Sequence, residues 1–212
     1  MDVTIIDYGV GNLRSLRRGL ERAGATIDTS GDPADIAAAD ALVLPGVGAF
    51  GECVRNSEPF HDALREAAED TPILGICVGL QLMYTESTEN AADGETISGL
   101  DLLDGRVERL AGDVNVPQMG WNELRIERDH PVVDGIADGA YVYFVHSYAA
   151  AVTDETVASC EYGDRFAAIA ANEAGNVVGA QFHPEKSGET GLRLLDNFVD
   201  FAERYDEAVP VR

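Results

Sequence analysis

The stretch 72-PILGICVGLQLMY-84 decides the fold of this chain. It begins with a short apolar run, Ile73 to Ile76, that is typical of a buried strand, and from Leu80 onward it takes on a helical pattern. Cys77 stands between the two parts, with a glycine two residues away on either side. A strand followed closely by a helix is the repeating unit of parallel α/β sheets. The stretch therefore predicts an α/β protein with a cysteine on a tight turn.

The rest of the N-terminal half continues this alternation of strands and helices. The predicted strands cover residues 3–7, 26–28 and 41–44. The predicted helices cover residues 13–23 and 50–68, and a polar turn occupies 30–33. Short apolar strands that alternate with helices predict a mostly parallel open sheet with helices on both faces.

The C-terminal half changes character and predicts additional antiparallel strands. Its segments from about Leu102 to Phe182 are strand-like, with turn signals at residues 104–105, 134–135 and 175–176. Residues 191–202 are amphipathic and predict a closing helix, while 85–99 predict a long loop. Because no linker, repeat or low-complexity tract interrupts the chain, we expect residues 1–212 to form one domain.

The composition is strongly acidic, with 38 Asp and Glu against 15 Lys and Arg and a net charge of −23. This charge disfavours binding to nucleic acid or to an anionic membrane. We see no secretory signal and no apolar run of about 18 residues, and three cysteines without a disulfide-rich spacing suit a reducing cytoplasm. Cys53 and Cys160 are therefore expected to be ordinary, partly buried thiols.

The dispersed acidic residues indicate adaptation to a high-salt cytoplasm, because self-repulsion of this size needs screening. We expect dialysis from molar salt into dilute buffer to lower the melting temperature, since the Debye length grows well beyond the roughly 3 Å that it has at 1 M. Thermal unfolding followed by circular dichroism at both salt concentrations measures this. An unchanged melting temperature would contradict the prediction.

The Gly-x-Cys-x-Gly pattern around Cys77 allows two interpretations. A nucleophile on a strained strand-to-helix turn needs small neighbours, and the next backbone N–H points to where an oxyanion would form. The start of the following helix also favours the thiolate. A buried structural cysteine with glycines for close packing explains the pattern about as well.

The stretch 181-QFHPEKS-187 supplies partners for a thiol nucleophile. His183 and Glu185 are two residues apart, so an extended backbone points both side chains to the same face. Glu185 can then hold the imidazole in one tautomer while His183 acts as the base for Cys77. Alone this pattern is weak, since a surface turn explains it equally well. His61 and His130 are expected to be solvated surface groups.

A third stretch, 45-PGVGAFG-51, is a glycine-rich turn after a predicted strand. It lacks the Lys-Ser/Thr of a phosphate-binding loop, and 9-GVGNLR-14 lacks the third glycine of a dinucleotide-binding fingerprint. Beside the cysteine turn, at the carboxyl ends of the strands, a glycine peptide can donate a second N–H to an oxyanion.

Together these motifs resemble the class I, triad-type glutamine amidotransferases, and among them the glutaminase subunits of imidazole glycerol phosphate synthase. The resemblance covers nearly the whole chain and includes DYGVGNLRSL, LPGVGAF, GICVGLQLMYTESTE, PQMGWN, YFVHSY and FHPEKS. The cysteine and histidine motifs mark the superfamily. PGVGAF, PQMGWN and YFVHSY favour this subunit over the amidotransferases of GMP, anthranilate or pyridoxal-phosphate synthesis. Val78 departs from the leucine that is more frequent there.

The resemblance implies a mechanism and a set of site residues. It implies that Cys77 attacks glutamine to give a γ-glutamyl thioester, that His183 with Glu185 serves proton transfer, and that water releases glutamate. It places the oxyanion hole at Val78, Val47 and Gly48. It places the glutamine contacts at Gly46, Gln81, Glu89, Ser147 and Tyr148. No cofactor or metal is implied.

The resemblance also implies a partner that consumes the ammonia, since free ammonia would be lost to water. This partner would be a (β/α)₈-barrel cyclase subunit that converts PRFAR to imidazole glycerol phosphate and AICAR in histidine biosynthesis, as one half of a heterodimer. The docking face would contain Met119, Trp121, Asn122, Tyr143 and Lys186, which is the only lysine of the chain. The alternatives are a subunit that feeds another ammonia-using synthase, and a non-catalytic subunit that senses glutamine.

Overall fold

The computed structural model describes residues 1–208, with strands β1–β14, helices α1–α6 and three short 3₁₀ turns. The N-terminal elements are β1 (Asp2–Ile6), α1 (Leu13–Arg22), β2 (Thr26–Ser30), α2 (Pro33–Ala37), β3 (Leu42–Gly46), α3 (Phe50–Ser57), α4 (His61–Ala67), β4 (Ile73–Cys77) and α5 (Val78–Met83). The remaining elements are β5 (Tyr84–Ser87), β6 (Ile97–Ser98), β7 (Leu103–Arg109), β8 (Gln118–Glu123), β9 (Arg125–Ile126), β10 (Tyr141–His146), β11 (Tyr148–Ala150), β12 (Thr156–Tyr162), β13 (Asp164–Ala171), β14 (Val177–Ala180) and α6 (Gly188–Ala208).

The central feature is a mixed sheet of eight strands in the order β2-β1-β3-β4-β14-β13-β12-β9. The five strands from β2 to β14 pair in parallel, and the pairs from β14 to β9 are antiparallel. This confirms the predicted α/β fold with a mostly parallel N-terminal part and antiparallel strands in the C-terminal half. Strand β14 returns from that half to lie beside β4, so two distant parts of the chain meet at the centre of the sheet.

Two smaller sheets lie outside the central one. One has the order β11-β7-β5-β6, and the other pairs β10 with β8. Strands β5 and β6 lie within residues 85–99, so the prediction of one long loop there was wrong at both ends. The side chains of this segment are too polar to show a strand pattern, and pairs such as Arg106 with Glu86 stabilise the strands instead.

The helices form three packing groups, α1 with α6, α2 with α4, and α3 with α5. The first group buries Leu16 and Leu20 of α1 and Leu195 and Phe198 of α6, in agreement with the predicted apolar faces. Helix α6 is longer than the predicted 191–202. The predicted helix over 50–68 is broken by a 3₁₀ turn that contains Pro59, because proline lacks the N–H that a helix interior needs.

Three local features differ from the sequence predictions. After the expected polar turn, the Asp32 side chain accepts a hydrogen bond from Ala34 N–H and starts the short helix α2, which was missed. His130, expected at the surface, is buried, where Nδ1 accepts from Val132 N–H and Nε2 bonds to the Gly175 carbonyl. His61 is half-buried and bonds to the Ser57 hydroxyl. Both histidines have structural partners.

None of the helices within residues 1–208 is long and apolar enough to cross a membrane.

Candidate active site

Cys77 ends the central strand β4 and lies directly before α5. Its backbone has φ 55° and ψ −111°, in the left-handed region that non-glycine residues avoid at a cost of about 1–3 kcal/mol. Small neighbours make this turn feasible. A Cβ on Gly79 would overlap the Leu44 carbonyl oxygen, and one on Gly75 would lie 2.8 Å from Leu80 N. The two glycines of the motif therefore allow the start of α5 to pack against β3 and β4.

His183 and Glu185 follow β14, the strand that neighbours β4. His183 Nδ1 lies 3.1 Å from Glu185 Oε1, and the two side chains are only 6% and 3% exposed. Two bonds hold the backbone of this turn, from His183 N–H to the Tyr143 carbonyl and from the Ser187 hydroxyl to the His183 carbonyl. The Glu185 carboxylate thus bonds to Nδ1 of the ring, and Nε2 points away from the carboxylate.

The Cys77 thiol and the imidazole of His183 line the same cavity, and Cys77 helps to raise the pKa of that ring. Burial alone would lower the pKa of His183, but the hydrogen bonds to Cys77 and Glu185, and their charges, raise it to about 9. Burial would raise the pKa of Glu185, but the hydrogen bond and charge of His183 hold it below its usual range. At neutral pH the ring is therefore protonated beside an ionised carboxylate.

A cavity of about 330 Å³ opens in front of Cys77 and His183. Most of the predicted catalytic, oxyanion and glutamine residues line it, namely Val47, Gly48, Cys77, Val78, Gln81, Glu89, Ser147, Tyr148 and His183. Lys186 of the predicted docking face lines it as well, together with Pro117, Val145 and His146. Gly46 and Glu185 do not line it. Gly46 packs against Val78 and Gly79, and Glu185 lies behind His183 beside a second cavity of about 10 Å³.

Two side chains form hydrogen bonds to backbone carbonyls of the turn that contains Val47 and Gly48. Tyr8 donates a hydrogen bond of 2.5 Å to the Pro45 carbonyl, and the Cys53 thiol lies 3.4 Å from the Val47 carbonyl. Because a trans peptide points its C=O and N–H in opposite directions, the Gly48 N–H is directed away from Cys53. The sequence predicted the turn but not these supports, since neither Tyr8 nor Cys53 lies in a catalytic motif.

Glu89 joins the cavity wall to the start of α3. Its Oε2 accepts a hydrogen bond of 2.8 Å from Phe50 N–H. Burial raises the pKa of the Glu89 carboxyl, and this hydrogen bond opposes the rise. One oxygen of the predicted glutamine contact is thus already engaged within the chain.

Gln81 is buried, and both hydrogens of its amide nitrogen are used within the protein. Nε2 donates to the Tyr148 carbonyl at 2.8 Å and to Gln181 Oε1 at 3.1 Å. Oε1 is therefore the part of this side chain that remains for a ligand, as an acceptor. His146 Nδ1–H also donates to the Tyr148 carbonyl, and burial lowers the pKa of His146 to about 4, so this ring is neutral at pH 7.

Four of the predicted docking residues, Met119, Trp121, Asn122 and Tyr143, lie on the two-stranded sheet of β8 and β10, and Lys186 lies in the 3₁₀ turn Pro184–Lys186. Met119 is 65% exposed and Trp121 is 51% exposed, which is unusual for such large apolar side chains. The rings of Trp121 and Tyr143 meet edge to face with 5.9 Å between their centroids. Asn122 is half-buried. Tyr141, which the sequence did not single out, is 53% exposed on the same two-stranded sheet.

Comparisons with known proteins agree with this architecture. The family model described as "Glutamine amidotransferase class-I" matches residues 4–201. "Imidazole glycerol phosphate synthase subunit HisH" of Natronomonas pharaonis is 57% identical over 94% of both chains, and the protein of the same name from Methanosarcina mazei is 51% identical over 93% of this chain and 98% of its own.

Solved structures show the same fold at low sequence identity. A putative GMP synthase subunit from Thermoplasma acidophilum superimposes with a TM-score of 0.73 at 19% identity, over 98% of this chain and 96% of its own. The structure of PurLQS from Thermotoga maritima gives a TM-score of 0.71 at 20% identity, over 94% of this chain and 98% of its own.

Proposed function

The chain belongs to the class-I glutamine amidotransferase family, and we propose from this that it is the glutaminase subunit of an imidazole glycerol phosphate synthase. The identity of 51–57% to subunits of that name supports the assignment within the family. The observation that carries the activity is a thiol and an imidazole on the wall of one cavity, with a carboxylate bonded behind the imidazole. The match over residues 4–201 supports a single domain.

We assign the catalytic steps to these three side chains. Cys77 attacks the side-chain carboxamide carbon of glutamine as the thiolate, its proton having passed to His183, and N–H groups of Val78, Val47 and Gly48 stabilise the tetrahedral oxyanion. His183, protonated at neutral pH, gives its proton to the leaving nitrogen, so ammonia departs and a γ-glutamyl thioester remains. Water, deprotonated by His183, then hydrolyses the thioester to glutamate. Glu185 fixes the tautomer of the ring.

The other end of glutamine is assigned to residues farther along the cavity. The free Oε1 of Gln81 is an acceptor and suits the α-ammonium group of the substrate. Glu89, Ser147 and Tyr148 complete the proposed binding site, the last two partly through their backbones, whereas Gly46 packs behind the cavity and is not included. The proposed steps use only side chains and backbone groups of this chain, with glutamine and water.

The proposed partner is the cyclase subunit, in a cytoplasmic heterodimer. We assign the docking face to the exposed Met119 and Trp121, with Asn122 and Tyr143 on the same pair of strands, and to Lys186, which lines the cavity. Aromatic anchors of this kind are favoured at protein interfaces. Ammonia released at Cys77 would pass to the cyclase, which makes imidazole glycerol phosphate and AICAR from PRFAR in histidine biosynthesis.

A glutaminase assay in molar salt tests this function. We expect low turnover by the isolated chain and an increase of at least about tenfold with the cyclase and its nucleotide ligand, because the glycines of residues 45–48 permit a change of peptide orientation at little cost. Full activity of the lone chain would contradict the partner dependence. Stimulation by a different ammonia-using synthase would support the alternative assignment to that synthase, and glutamine binding without hydrolysis would support a sensor.

A further inference from the structure

We propose that Gln181 is a fourth catalytic group, whose side-chain amide donates a hydrogen bond to the Cys77 sulfur and stabilises its negative charge. The inference rests on the proposed function, because it concerns the same nucleophile. When Cys77 is ionised beside the protonated imidazole of His183, the sulfur carries a full negative charge at a buried position. A donor aimed at that atom then strengthens, since hydrogen bonds to charged groups are stronger than neutral ones.

The register of the central sheet brings Gln181 to the nucleophile. Strands β4 and β14 pair in parallel, with Ile76 opposite Ala180, so the next residues along each strand, Cys77 and Gln181, are neighbours. Gln181 is 1% exposed and Cys77 is 4% exposed. Gln181 Nε2 lies 3.8 Å from Cys77 Sγ, within the range of a hydrogen bond to sulfur. Burial removes water as a competing donor.

The orientation of the Gln181 amide follows from a chain of hydrogen bonds. The Tyr148 carbonyl is only an acceptor, so the Gln81 group that faces it must be the amide nitrogen. The second hydrogen of that nitrogen points to Gln181, which must therefore present its oxygen to Gln81. The Gln181 nitrogen is then left to face Cys77. A backbone carbonyl thus determines which end of Gln181 meets the sulfur.

The other polar neighbours of the sulfur cannot replace this donor. The Val145 carbonyl oxygen, 3.9 Å away, suits the neutral S–H and offers nothing to a thiolate. His183 donates to the sulfur after it has taken the proton, but it must give that proton to the leaving nitrogen during the reaction. Gln181 keeps its hydrogens throughout, so its stabilisation of the sulfur does not depend on the step of the cycle.

The hydrogen-bond chain also joins the nucleophile to the proposed substrate contact. Gln81 offers Oε1 to the α-ammonium group of glutamine, while its Nε2 holds Gln181 against Cys77. The distance between the α-amino end of the substrate and the attacking sulfur is therefore set by two buried amides. This arrangement explains why a glutamine, with one acceptor and one donor end, suits position 181 better than a simple apolar residue.

Alkylation of Cys77 by iodoacetamide tests the proposal without glutamine. Gln181→Met keeps the shape and removes the amide, and Gln181→Glu keeps an acceptor for Gln81 but removes the donor to sulfur. Because the thiolate is the reactive form, we expect alkylation at pH 7.5 in molar salt to be about tenfold slower in both variants. Peptide mass spectrometry assigns the modified cysteine. Slow alkylation of the buried Cys53 and Cys160 shows that each variant is folded.

Gln118→Met is the matched control, since Gln118 is also buried but bonds to His146 and Asn122 instead of Cys77. We expect its Cys77 alkylation rate to stay within about twofold of the parent protein.

In the complex with the cyclase, Gln181→Glu should lower kcat for glutamine about tenfold with little change in KM. A parent-like alkylation rate in both Gln181 variants would overturn the proposal. Failure of glutaminase activity in the parent complex would instead overturn the proposed function and leave the alkylation result intact.

Discussion

Alanine in place of Cys77 is expected to lower glutamine-dependent turnover of the complex with the cyclase by on the order of 10⁴-fold or more. The sulfur forms the covalent bond to the substrate, and alanine offers no nucleophilic atom in its place. The positive φ of this residue is a property of the turn, which alanine can adopt at a similar cost. The fold should therefore survive. Glutamate release, measured at saturating glutamine, gives the size of the loss.

The same variant complex should still make product from ammonium salts, because the cyclase chemistry needs only ammonia. Cys160→Ala serves as the control, since Cys160 is buried in β12 and does not line the cavity, and its glutaminase activity should remain within about twofold of the parent. If Cys77→Ala hydrolyses glutamine at the parent rate, the sulfur is not the nucleophile. If ammonia-dependent synthesis is lost as well, the substitution has damaged the assembly and the assay must use Cys77→Ser.

The sequence was sufficient for the order of the main elements, because the strands of the central sheet are short, apolar and buried. The run 73–76 lies in β4 as predicted, and α5 begins at once after Cys77. The elements that sequence reasoning missed have weak apolar patterns. Helix α2 depends on a cap by Asp32, and β5 and β6 carry polar side chains that pair across strands. These interactions are visible only once the partners have been brought together.

The candidate site was predicted where local motifs carry the chemistry and missed where contacts are made over long distances in the chain. Cys77 is indicated by its flanking glycines and His183 by a nearby glutamate, and the structure brings the two side chains together. Tyr8 and Cys53 form hydrogen bonds to carbonyls of the glycine-rich turn, and the residues next to them in the sequence do not indicate that role. Gln181 opens the stretch that contains His183, but its contact with the sulfur depends on the pairing of β14 with β4.

Glu185→Gln is the second substitution with a large expected effect, and we expect it to lower kcat by on the order of 10²–10⁴-fold. The change keeps the shape of the side chain but replaces an acceptor by an amide that can present N–H to His183 Nδ1. The ring can then adopt the wrong tautomer or turn away from Cys77. The Glu185 side chain is 3% exposed, so water cannot substitute for the lost carboxylate. Steady-state rates of glutamate formation in the complex measure the effect.

The pH dependence separates this electrostatic role from simple packing. The hydrogen bonds and charges of Cys77 and Glu185 raise the pKa of His183 to about 9 despite burial, so the ring keeps the proton needed by the leaving nitrogen up to that pH. In the parent complex kcat should therefore fall as the pH rises through about 9. Removal of the carboxylate charge takes away one cause of the raised pKa, and burial, which lowers it, remains. The alkaline fall in kcat of Glu185→Gln should consequently begin at lower pH.

Glu173→Gln is the control, because it changes an exposed carboxylate and should reproduce the parent pH profile. A Glu185→Gln complex with the parent kcat and the parent alkaline limb would show that His183 does not depend on this carboxylate.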